Sequence, residues 1–73
     1  MLKQVTLKNL VWKEGKYFVA QCLNVDVSSF GKSKSEALKN LNEVLDLYLE
    51  NSKRKKFPKI ERPEIVTSRM KYA

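Results

Sequence analysis

Hydrophobic and polar positions change period once along this chain, across Gly31, Lys32 and Ser33. Before that junction Val25, Val27 and Ser29 alternate with Asp26, Ser28 and Phe30, the two-residue period of a strand whose side chains take opposite faces. After it, Ala37, Leu38, Leu41, Val44, Leu45, Tyr48 and Leu49 fall in one broad stripe when each residue is turned by about 100°. Lys39, Asn40, Glu43, Asp46 and Glu50 fall mostly outside the stripe, and Leu47 breaks the pattern by lying roughly opposite Leu38. Ser33 followed three residues later by Glu36 is a capping box, with the hydroxyl accepting from a first-turn amide and the carboxylate reaching back to the cap amide. The pattern predicts a helix from about Lys34 to Asn51.

Upstream, Val5 to Trp12 is rich in strand-favouring residues, Lys13, Glu14, Gly15 and Lys16 form a polar turn, and Tyr17 to Leu23 is a second strand. Asn24 marks a bend into a third strand over Val25 to Phe30. Downstream of the helix, Pro58 and Pro63 bracket a segment barred from regular helix. Ile65, Thr67, Arg69 and Lys71 then alternate with Val66, Ser68, Met70 and Tyr72, a return to strand-like period. The expected fold is α+β with element order βββαβ: a three-stranded antiparallel meander, one helix on one face, and a C-terminal fourth strand alongside the first. Residues 1–73 form a single domain on this reading.

One face of that sheet lacks a cover. In the second strand Phe18, Ala20 and Cys22 share one face and Tyr17, Val19 and Leu23 the other, so both are largely apolar while the chain supplies one helix. A sheet face of that composition calls for another copy of the chain or a different protein. Tyr17, Val19, Leu23 and the off-stripe Leu47 are therefore candidate interface residues, and an unpaired outer strand is a further contact surface. Size points the same way, since a domain of 73 residues buries only about 60–65% of its unfolded surface.

Charge is unevenly spread. Residues 1–52 carry seven Lys against six Asp or Glu, a balance of +1, whereas residues 53–73 carry eight Lys or Arg against Glu61 and Glu64, a balance of +6. The body is near neutral and the final segment is basic. Lys53, Arg54, Lys55, Lys56 and Lys59 are candidate RNA- or DNA-binding residues, able to neutralise phosphates without reading sequence. The alternative for the same cluster is a solvated helix C-terminus complementing the helix dipole. One cysteine and no histidine exclude an intrachain disulfide and a zinc site and fit a reducing cytosol. No continuous apolar run of signal-peptide or membrane-span length is present, so a cytoplasmic protein with no membrane partner is expected.

The residue inventory argues against an enzyme and against a cofactor. Two-metal hydrolysis needs several carboxylates converging near the sheet, and Asp26 is the one carboxylate expected within the strands of the meander. Ser28, Ser29, Ser33 and Ser35 have no imidazole to activate them. What remains is a protein-binding role, a small basic nucleic-acid-binding module, or a stand-alone structural oligomer. A double-stranded-RNA-binding domain would need a helix ahead of its strands, which this chain lacks.

The hairpin around Gly15, the run Tyr17-Phe18-Val19-Ala20-Gln21-Cys22-Leu23, and Ser29-Phe30-Gly31-Lys32-Ser33-Lys34-Ser35-Glu36-Ala37-Leu38 together resemble the HicB-like antitoxin family. The resemblance covers roughly residues 1–50 and rests on order and spacing: a strand ending in a cysteine, a short link, a strand, a glycine, a Ser cap and a Glu-Ala pair opening the helix. It is closest to HicB-type domains without a C-terminal DNA-binding domain. It implies a truncated ribonuclease H-like βββαβ fold, a homodimer or higher oligomer, and a small HicA-type messenger-RNA-cleaving toxin as the protein partner.

Overall fold

A computed structural model describes residues 4–50 and 57–72. Three strands, β1 (Asn9–Glu14), β2 (Tyr17–Cys22) and β3 (Val27–Gly31), precede one helix, α1 (Lys34–Glu50). The strands form an antiparallel sheet in the order β1-β2-β3, so the chain is a small α+β domain as its pattern predicts. Boundaries moved where turn chemistry outweighed strand propensity. Glu14 pairs with Tyr17, leaving Gly15 and Lys16 as a two-residue loop in place of the expected four. Gly15 takes φ +61°, a conformation free of penalty only without a Cβ, and this lets the first strand run on through Lys13 and Glu14. At the other end β1 starts at Asn9 instead of Val5, and β3 starts at Val27 because residues 23–26 form the turn.

The helix begins as its residues dictate. The Ser33 hydroxyl accepts from the Glu36 amide at 3.1 Å, and the Ser33 carbonyl accepts the Ala37 amide at 2.9 Å. The Glu36 carboxylate closes the box on the Lys32 amide at 3.3 Å, one residue ahead of the cap amide expected from spacing. Ala37, Leu41 and Leu45 are buried on the sheet against Ala20 and Cys22, with Leu7, Val11, Phe18, Val25, Val27 and Leu38 packed around them. Val44, placed by its period in the stripe, is 40% exposed. Asn51, expected as the last helical residue, lies outside the described residues.

Two details hold the layers together. A Cβ on Gly31 would stand 2.7 Å from the Ala37 amide nitrogen, so β3 and the first turn of α1 approach more closely than any side chain permits. Asn24, read from sequence as a bend, is 7% exposed and bonded on both sides: its Oδ1 accepts the Lys8 amide and its Nδ2 donates to the Pro58 carbonyl, each at 2.7 Å. That side chain ties the turn after β2, the approach to β1 and the returning C-terminal segment into one junction.

Beyond the junction the chain leaves the body. Residues 61–72 are exposed throughout, and the stretch from Pro63 to Tyr72 contains no turn or bend. Ile65–Tyr72, expected as a fourth strand beside the first, belongs to no sheet of the described residues. Arg62, at the point of departure, has φ +48°. The left-handed region costs a residue with a side chain roughly 1–3 kcal/mol, and the following proline disfavours the right-handed helical alternative. The radius of gyration is 14.6 Å, against about 11 Å for a compact chain of this length, and the long axis is 53 Å against 26 and 22 Å for the others.

Candidate interaction surfaces

Antiparallel register determines which side chains share a face. Trp12 stands opposite Val19, and Val19 opposite Phe30, so these three form one row across all three strands. The alternation that puts Ala20, Cys22 and Phe18 against the helix puts this row on the opposite face, with Leu10, Tyr17, Gln21 and Ser28 around it. No described element covers it. Phe30 is 64% and Tyr17 48% exposed, and their rings meet edge to face at 6.0 Å. Glu14, Tyr17, Val19, Ser28 and Phe30 line a shallow depression there.

Of the four interface candidates chosen by sequence, Tyr17 and Val19 therefore share a surface. Leu23 lies past the end of β2 in the turn, half-buried, with its amide donating to the Lys8 carbonyl at 2.8 Å. Leu47 is on the helix, 61% exposed, and the sheet separates it from the Tyr17 face. Trp12 and Phe30, outside the sequence candidates, share that surface too. Their signal is present in the alternation of β1 and β3, but it identifies a row only once the two-residue loop has set which residues stand opposite.

A second surface is the outer edge of β1. The Leu23 amide bonds Lys8, and the antiparallel alternation makes Leu10, Trp12 and Glu14 the residues bonded to β2. The N–H and C=O groups of Asn9, Val11 and Lys13 therefore face outward, and none has a hydrogen-bond partner among the described residues. The edge of β3 is different. The Asn40 side chain donates to the Phe30 carbonyl at 2.8 Å, so the helix partly closes that edge. Thr6, Lys8 and Asn24 line a groove with residues 59–62, which places the root of the C-terminal segment at the start of the open edge.

The third surface is the basic segment. Lys53, Arg54, Lys55 and Lys56 lie outside the described residues. Lys59 pairs with Glu61 at 3.2 Å with both side chains largely exposed, a weak contact in water that nonetheless competes with any phosphate for the ammonium. Among the described residues no three His, Cys, Asp or Glu side chains gather as a metal site, and Cys22 is a buried free thiol in the core. No described helix is long and apolar enough to cross a membrane. Comparison with known proteins adds nothing to the geometry: no family model matches the chain, no curated protein matches it, and no solved structure matches it.

Proposed function

We propose that this protein is a non-catalytic, cytoplasmic protein-binding domain of the HicB antitoxin type that self-associates and holds a small HicA-type toxin. The observation that carries the reading is the row Trp12, Val19 and Phe30 with Tyr17 beside it on an uncovered sheet face. Aromatic side chains in contact on an open, weakly charged surface are what a protein interface concentrates at its centre. The resemblance in the hairpin, the Ser33 cap and the Glu36-Ala37 opening supports the choice of partner, and with it a truncated ribonuclease H-like arrangement in which Ile65–Tyr72 supplies the fourth strand.

Co-expression with a small basic single-histidine protein encoded beside it tests the reading. The expected result is relief of toxin-induced growth arrest and a complex that survives salt concentrations sufficient to strip phosphate-bound proteins. The double change Val19→Asp and Phe30→Asp should abolish both, with the helical circular dichroism signal intact. Growth arrest that persists in the presence of the unaltered protein overturns the proposal. The excess charge of +7 favours a second reading, nucleic-acid binding. That reading requires affinity for RNA or DNA that falls steeply with salt. Replacing Lys55 and Lys56 by Ala should then flatten the slope by about one unit for each phosphate no longer neutralised.

A further inference from the structure

We infer that two copies of this chain exchange their C-terminal arms, residues 63–72 of each pairing as a strand with the open β1 edge of the other. This deepens the self-association proposed above and uses a different surface from the toxin face, so either can fail alone. The edge and the arm are complementary in kind. Asn9, Val11 and Lys13 present an unpaired row of N–H and C=O groups, and the arm backbone from Glu64 to Tyr72 likewise makes no hydrogen bond among the described residues. Ile65, Val66, Thr67 and Tyr72 favour strands, and the alternation sets Val66, Met70 and Tyr72 on one side of the arm at 78%, 81% and 97% exposure. An exposed segment with apolar residues at strand spacing and an exposed strand edge on one molecule are each an association hazard, and pairing between copies removes both at once.

Length and direction favour exchange over closure onto the arm's own edge. Ten unbent residues reach about 33 Å, whereas the six residues of β1 span about 20 Å, so the arm can bridge to a second body and still cover its edge. The root is pinned: the bond from Asn24 to the Pro58 carbonyl holds it beside Lys8 at the start of β1. From that anchor the left-handed Arg62 and the rigid Pro63 direct the arm away from the body. A short hinge under backbone strain is the usual setting for exchange of an element between identical chains. Because each arm meets the same edge, the assembly closes as a two-fold dimer.

Chemical cross-linking of a mixture of isotope-labelled and unlabelled full-length protein tests this directly. Lys71 of the arm should link to Lys8 or Lys13 in mixed-isotope pairs at micromolar concentration, with a dimer mass in sedimentation. The paired change Val66→Asp and Met70→Asp should weaken dimerisation by about tenfold or more, with the circular dichroism of the body unchanged. Phe30→Asp should leave the dimer intact. Links confined to same-isotope pairs would place the arm on its own edge and overturn the proposal. A monomer mass would do so too, as would a dimer lost on Phe30→Asp but kept in the arm variant.

Discussion

The strand–helix body and the C-terminal arm contain the same kinds of residue and meet opposite fates. Ala20, Cys22, Ala37, Leu41 and Leu45 are 0–4% exposed, while Ile65, Val66, Met70 and Tyr72 are 78–97% exposed. Both regions alternate or repeat correctly for a secondary structure, so propensity does not separate them. What separates them is the presence of a second layer. The body has a helix that the Ser33 cap starts and the Gly31 approach seats against the sheet, whereas the arm has neither a ladder partner nor a covering element among the described residues. Periodicity specifies which face an element wants to bury, and a neighbour is needed to bury it.

That contrast can be broken most severely at Leu41. Replacing this fully buried side chain by Ala should cost about 2–5 kcal/mol in urea unfolding; a change near zero would mean that the helix stripe does not seal the core. Next comes Asn24, whose buried side chain links the body to the root of the arm. Asn24→Leu leaves the Lys8 amide and the Pro58 carbonyl without their partner and should cost about 1–3 kcal/mol. Faster proteolysis around residues 57–62 should accompany the loss. Unaltered cleavage there would show that the junction does not anchor the arm.

A smaller effect is expected at the helix start. Ser33→Ala removes the acceptor of the Glu36 amide and should cost about 1 kcal/mol, recovered largely by Ser33→Asp. The smallest concerns the arm. At protein concentrations low enough to keep copies apart, Ile65→Ser should shift unfolding by less than about 0.5 kcal/mol, because the side chain is already 81% exposed. At high concentration the same change should lower the melting temperature of a dimer that the arm holds together. A concentration-independent loss would place Ile65 in the body's own core and erase the distinction between the two regions.

How much of this was legible beforehand depended on the range of the interaction. The Ser33–Glu36 box, the turn at Gly15 and the stripe Ala37, Leu41, Leu45 are contacts between residues a few positions apart, and all three were readable from spacing. The sequence marks Asn24 as a bend; its role depends on Lys8, sixteen positions upstream, and Pro58, thirty-four downstream. The candidate surface was found in part. Tyr17 and Val19 were visible within a single strand, but Trp12 and Phe30 join them only across strands, and cross-strand neighbours follow from loop length. A four-residue turn would set Trp12 opposite Tyr17; the two-residue loop sets it opposite Val19, a shift of two positions that keeps the face and completes the row.

The sequence by itself determined that three strands precede one helix, where that helix starts, and that the sheet has two apolar faces with material to cover one. It did so because period, capping and turn chemistry are local properties of neighbouring residues. Only the tertiary structure decided that β1 is an open edge, that β3 is partly closed by Asn40, that Gly31 is a contact point between layers, and that Ile65–Tyr72 leaves the body at Arg62. These depend on which elements lie side by side in space. No single segment's alternation carries that information, because a strand pattern is the same whether its ladder partner is in its own chain or in another.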